Sequence, residues 1–128
     1  MKVEDVLIQV ARISILNEFN QSFKVNKESL KKEFPFLNEQ KACFITLLLN
    51  GNLRGCTGSL VAHRPLLEDI ISNAYCSAFS DLRFPRLTKE EFKKIDIEIS
   101  ILTPAVVLKY DGIEDLKTKI KLAIHNYS

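Results

Sequence analysis

The chain has 128 residues, 46% of them hydrophobic and 27% charged, and 18 Lys and Arg stand against 16 Asp and Glu for a net charge of +2. This length and composition fit one domain with its own core and exclude a disordered or collagen-like chain. The near balance of charge excludes the broad basic surface of a non-specific nucleic-acid or acidic-membrane binder.

The three cysteines, Cys43, Cys56 and Cys76, are an odd number at wide spacing. That is no disulfide framework, and it points to a reducing, cytoplasmic setting. The N-terminal stretch carries early acids and no small-residue cleavage site, so it does not read as a secretory signal. No apolar run approaches the roughly 18–20 residues needed to cross a bilayer.

In chain order, Val3 to Phe19 predicts a helix. Val3, Val6, Leu7, Val10, Ile13 and Leu16 recur at spacings of three and four, and Glu4 and Asp5 sit where the helix dipole favours acids. Asn26 is placed to cap a short helix, Lys27 to Phe34, that stops at Pro35. The lysines around it alternate with Glu28 and Glu33 and read as a solvated face.

Ala42 to Leu49 is a continuous run of strand formers and predicts a buried strand. Asn50-Gly51-Asn52 signals a turn. The chain then returns through Leu53-Arg54-Gly55-Cys56-Thr57-Gly58 and the apolar piece Ser59 to Ala62, which together read as a second strand interrupted by a glycine-bracketed bend. Pro65 suits a first helical turn. Leu67, Ile70, Ile71, Ala74 and Ala78 form the stripe of a helix running to about Phe79, followed by a loop, Ser80 to Pro85.

Thr88 and Glu91 match a capping box. Ile95 to Leu102 alternates apolar and polar residues and is the clearest strand in the sequence. Beyond Pro104, Val106 to Tyr110 reads as extended, Asp111-Gly112 as a turn, Ile113 to Ile120 as a short helix and Leu122 to Ile124 as a final strand. Two strands joined by a short turn point to an α+β fold, an antiparallel sheet with helices packed on one side.

Chemistry concentrates at the Arg54–Gly58 bend. A thiolate is the reactive form of cysteine, and a nearby cation stabilises it. Arg54 is the adjacent cation, with backbone N–H groups in reserve. Against this, a lone free Cys more often only packs. Cys43 and Cys76 fall in a strand and a helix and read as packing residues. No Cys or His pair has zinc spacing. His63, before Pro65, is a conceivable partner for Cys56 but reads more simply as a solvated loop residue. The second cluster is Asp81, Arg83 and Phe84, in which Asp81 and Arg83 either pair locally or bind a ligand. Glu98 and Ser100 occupy the polar face of the last strand. If that face lines a cleft, Glu98 is an acid, a base or an arginine partner.

Several of these pieces, in this order, resemble the AMMECR domain family, first component of the so-called AmmeMemoRadiSam system. The family's LRGCIG run stands here as Leu53-Arg54-Gly55-Cys56-Thr57-Gly58, with Thr57 in place of Ile. It is preceded by Phe44-Ile45-Thr46-Leu47 and followed by the Pro65-Leu66 helix start, by Asp81 with Arg83-Phe84-Pro85, and by Ile97 to Leu102. The match is firm over about residues 42–104 and looser over 3–30.

The resemblance implies an α+β fold over a single domain, 1–128, in which Arg54, Cys56, Asp81 and Arg83 cluster. It implies no established activity and no cofactor. The partners it implies are a Memo-like protein and a radical-SAM protein. The family's later H-G turn, LP-[EQ]-V run and Trp-Asp segment are not found up to Ser128, so the chain reads as a short or truncated member. Missing strands leave an unpaired sheet edge that invites self-association.

The reading favoured by the sequence is an accessory binding module. Its bend (Arg54, Gly55, Cys56, Thr57, Gly58) and its second loop (Asp81, Arg83, Phe84), with Glu98, form one recognition site for a partner protein or a small anionic ligand. The alternative is a thiol enzyme with Cys56 as nucleophile and Asp81 or Glu98 handling protons. An RNA-associated role is disfavoured by the balanced charge.

Overall fold

The structure is a computed structural model and describes residues 2–102. The elements expected beyond Pro104, and His125, lie outside the described residues. The first helix, α1, spans Val3–Phe19 as expected. Its inward face is Val6, Leu7, Val10, Ala11, Ser14 and Ile15, while Val3 is exposed and Ile13 and Leu16 are half-buried. The helix is apolar on more than one side, and packing against its neighbours selects the face. The second, α2 (Lys27–Glu33), is capped by Asn26, whose side chain accepts from Ser29 N at 3.0 Å. Phe34 already lies outside it, and Pro35–Asn38 form a single tight 3-10 turn.

Strands β1 (Ala42–Leu49) and β2 (Asn52–Gly58) form a two-residue hairpin. Asn50 and Gly51 take φ of 54° and 80°, so both residues are left-handed. Such a turn has the twist that matches a hairpin. The third strand, β3 (Ile95–Leu102), pairs with β1 on the other side, giving the all-antiparallel order β2-β1-β3.

The expected bend in the return strand is a bulge. Leu47 pairs with Gly55 and Leu48 with Leu53, which leaves Arg54 as the extra residue. Ser59 to Ala62 is not strand. Ser59 N gives a last bond to Cys43 O at 3.1 Å and the chain leaves the sheet.

Helix α3 (Leu66–Phe79) lies on the face of β1 that carries Cys43, Ile45 and Leu47. Pro65 is its N-cap and precedes the first turn instead of entering it. Leu67, Ile70, Ala74 and Ala78 are buried as expected, with Ile71 at the margin. Together with Ile15, Ile45 and Leu47 they fill the core. Each fully buried aliphatic side chain contributes about 2 kcal/mol relative to exposure. The short helix α4 (Lys89–Phe92) opens on the Thr88–Glu91 capping box.

The contact of α3 with β1 also holds a buried polar row at helical spacing: Asp69, Asn73 and Ser77. Cys43 N donates to Asp69 Oδ2 at 2.8 Å, Asn73 Nδ2 donates to Cys43 O at 3.0 Å, and Ser77 Oγ donates to Ile45 O at 3.0 Å. Asp69 Oδ1 accepts from Ser59 Oγ at 2.8 Å and Arg64 Nε at 2.7 Å. Since Cys43 O points toward β2, so does its N–H. Beyond the end of β2, the Asp69 carboxylate takes the place of a ladder carbonyl. One strand further, α3 comes so close to β2 that a Cβ on Gly55 would lie 2.1 Å from Ser77 O.

Two changes test this packing by urea unfolding at neutral pH. Gly55→Ala forces helix and strand apart and is expected to cost about 3 kcal/mol. Asp69→Asn turns an amide N–H₂ toward donors and is expected to cost about 3 kcal/mol as well.

Candidate functional site

The loop between α3 and α4 is tied back to α3 and closed on itself. Leu87 N donates to Ala78 O at 2.8 Å, and Phe84 N closes a turn onto Asp81 O at 3.1 Å. Two further links pin it to β2. Cys56 N donates to Asp81 Oδ2 at 3.1 Å, and Arg54 Nη2 donates to Pro85 O at 2.9 Å. The glycine-bracketed bend and the second loop, 25 residues apart at Cys56 and Asp81, therefore meet.

Arg54 leaves the ladder at the bulge and is 6% exposed. Its Nε reaches Glu91 Oε2 at 2.8 Å and its Nη2 reaches Glu91 Oε1 at 2.9 Å, a bidentate pair. Nη1 is buried without a partner among the described residues, and the guanidinium carbon lies 5.8 Å from the centre of the Phe84 ring. The same Glu91 oxygen, Oε1, accepts from Thr88 N at 3.0 Å. Arg54 hydrogen bonding, with that of Thr88 behind it, outweighs burial and holds the Glu91 carboxyl down at about 2.

Asp81 is saturated. Its Oδ1 accepts from Arg83 N and Arg83 Nε, each at 3.0 Å, and its Oδ2 accepts from Arg83 Nη2 at 2.8 Å besides Cys56 N. Hydrogen bonding from Arg83 outweighs desolvation and holds this carboxyl well below the usual carboxylate range. In return hydrogen bonding to Asp81 pushes Arg83 up. A carboxylate so fixed in its ionised form is a poor proton carrier near neutral pH.

Two sequence expectations are corrected here. Arg54 is committed to Glu91 and Pro85, and the cation linked to Cys56 is Arg83, through the Asp81 carboxylate that both bond. Arg54 is also too buried to meet a partner, so it positions the loop instead.

The remaining candidates divide by the pleat of the sheet. Cys56 is half-buried, and its Sγ lies 3.4 Å from Thr46 Oγ1 on the sheet face away from α3. Thr57 pairs with the fully buried Ile45 and so faces the other way. Gly58 makes room for a ring, since a Cβ there would lie 2.1 Å from Phe44 Cδ1. Glu98 is exposed and shares a row with Cys56, but Thr46 stands between them. Two strand spacings, about 10 Å, separate it from the thiol, so it is not part of the cluster.

His63 is exposed, its ring nitrogen 3.0 Å from Val61 O. Cys43 is fully buried, and burial first and Asp69 second push its thiol far up. Among the described residues no group of three His, Cys, Asp or Glu could hold a metal ion. Sequence reasoning missed Glu91 as the partner of Arg54. The capping box marked this residue as fixed, but nothing local marked its second bond.

Motif order, strand pairing and the meeting of the two loops now stand together. The sequence pattern of the AMMECR1 family matches residues 8–125. The chain belongs to the AMMECR1 family. A protein of Methanothermobacter thermautotrophicus is 32% identical over 92% of this chain and 60% of its own length. One of Sulfolobus acidocaldarius is 41% identical over 76% of this chain and 43% of its own. The crystal structure of the uncharacterised protein PH0010 from Pyrococcus horikoshii matches with a TM-score of 0.70 at 32% identity, over 79% of this chain and 51% of that one. The chain thus spans about half the length of the curated AMMECR1-family relatives it matches. Among the described residues no helix is long and apolar enough to cross a membrane.

The two depressed carboxylates set an acid limit. Stability from the Glu91 pair is complete above the ordinary glutamate value of 4.5 and is lost as pH falls through about 2. Glu91→Gln is expected to cost about 2 kcal/mol at pH 6. Urea titrations should show the gap between variant and wild type closing as pH falls from 4.5 toward 2.

Proposed function

We propose that this AMMECR1-family chain is a protein-recognition module whose contact point is the loop between α3 and α4. One observation carries the reading: the loop is pinned to β2 at both Asp81 and Pro85, yet between these pins it holds Leu82 fully exposed and Arg83 exposed. A loop ordered in advance loses little freedom on binding, which is the condition for affinity from a small contact. An apolar side chain beside an arginine is the kind of pair that anchors an interface centre.

The thiol-enzyme reading has less support. Asp81 is saturated, Glu98 is two strands away, and His63 is turned to Val61 O. The family resemblance supplies the first candidates, a Memo-like protein and a radical-SAM protein, and the chemistry complementary to Leu82 and Arg83 is an apolar patch beside an acidic group.

The test is a binding titration of the full chain against each of these proteins, purified from the same organism. Leu82→Asp and Arg83→Ala are expected to weaken one of the two interactions at least tenfold, with Cys56→Ser within twofold of wild type. Loss of binding with Cys56→Ser and tolerance of Leu82→Asp would reverse the assignment. Rapid alkylation of Cys56 by iodoacetamide near neutral pH, with Cys43 protected, would then favour the thiol enzyme.

A further inference from the structure

On the side of the helical layer away from the sheet, α1, α3 and the segment leading into α2 enclose an open cleft of about 410 Å³. That volume lies within the range of small-molecule sites, about 300–1,000 Å³. Its walls are the flanks of Val25, Ile71 and Tyr75, all half-buried and packed on the core, with the free thiol of Cys76 among them. Two polar groups that reach it are already engaged: Ser14 Oγ donates to Val10 O at 2.7 Å, and Asn17 Nδ2 donates to Phe23 O at 2.6 Å. The wall therefore offers mainly apolar contact, with the Ser72 hydroxyl beside it.

Charge at the rim is one-sided. Lys24 and Lys27 line the cleft, and neither has a carboxylate partner among the described residues. Two nearby acids are each paired with another cation, although Glu68 Oε2 is buried without a hydrogen-bond partner among the described residues. Glu18, which accepts from Tyr75 Oη, is paired with Arg86. Glu68, one turn before Ser72, is paired with Lys31 at 2.7 Å. Burial pushes the Glu68 carboxyl up, but the hydrogen bond from Lys31, with the charge of Lys27 behind it, more than reverses this. Lys24 and Lys27 thus stand over an apolar floor without an ion-paired carboxylate among the described residues, and Lys27 acts on Glu68 only through its charge.

We propose that this cleft binds a small amphiphile, a hydrocarbon body with a single carboxylate. The body lies on Val25, Ile71 and Tyr75 beside Cys76, and the carboxylate sits between Lys24 and Lys27. The site is separate from the loop assigned to protein recognition, and the two assignments stand or fall independently.

The probe is octanoate, titrated into the full chain and followed by amide shifts in heteronuclear NMR. Saturable shifts at Val25, Ile71 and Cys76, with Cys56 and Arg83 unmoved, are the expected result. Octanamide, the uncharged analogue, should bind at least fivefold more weakly. The double variant Lys24→Glu/Lys27→Glu, altered only at exposed positions, should remove that preference. Absence of saturable shifts, equal binding of the two probes to wild type, or a preference that survives the double variant would each overturn the proposal.

Discussion

The Asp69 carboxylate is wholly buried and still meets four donors, from the central strand, the chain leaving β2, the start of α3 and Asn73 one turn on. An ionised group so deep is tolerable only when each lone pair is answered. Everything placed around it is therefore placed closely. The carboxylate fixes α3 in height and rotation over β1, and Asn73 and Ser77 repeat the grip one and two turns further along. With α3 held in this position, its end at Phe79 delivers the chain beside β2, where Gly55 lets the backbones touch.

The recognition loop inherits its geometry from that contact. An ordinary strand residue at position 54 would point to one face of the sheet. The bulge instead turns Arg54 toward the helices, where Glu91 and the Pro85 carbonyl hold it. Glu91 is in turn set by the Thr88 cap, so the start of α4, the bulge and the loop form one rigid piece. Leu82 is displayed by this frame and contributes little to it, while Arg83 braces it through Asp81 and remains exposed.

Much of the frame can be read from the chain. The bounds of α1 and β3 follow from apolar periodicity and those of β1 from an unbroken apolar run, and the Asn-Gly hairpin and the Thr88–Glu91 cap follow from turn and cap chemistry. What could not be read is where polar residues pair across distance. Asp69, Asn73 and Ser77 at steps of four look like a solvated stripe, and the backbone of β1 and β2 against them makes them interior. Arg54 adjoins Cys56 in sequence and was assigned to it, but it is claimed by a glutamate 37 positions away. Thr57 and Glu98 belonged to the motifs, and the pleat put one on the wrong face and the other two strands off.

The same Asp81 that orders the loop also covers the outer backbone of β2. The Cys56 amide, which an approaching chain would need, is already bonded, and the bulge at Arg54 spoils the regular spacing next to it. The two edges of the described sheet thus differ. Among the described residues the more regular edge for a fourth strand is that of β3, where Ile95 to Leu102 keeps unbroken register with β1.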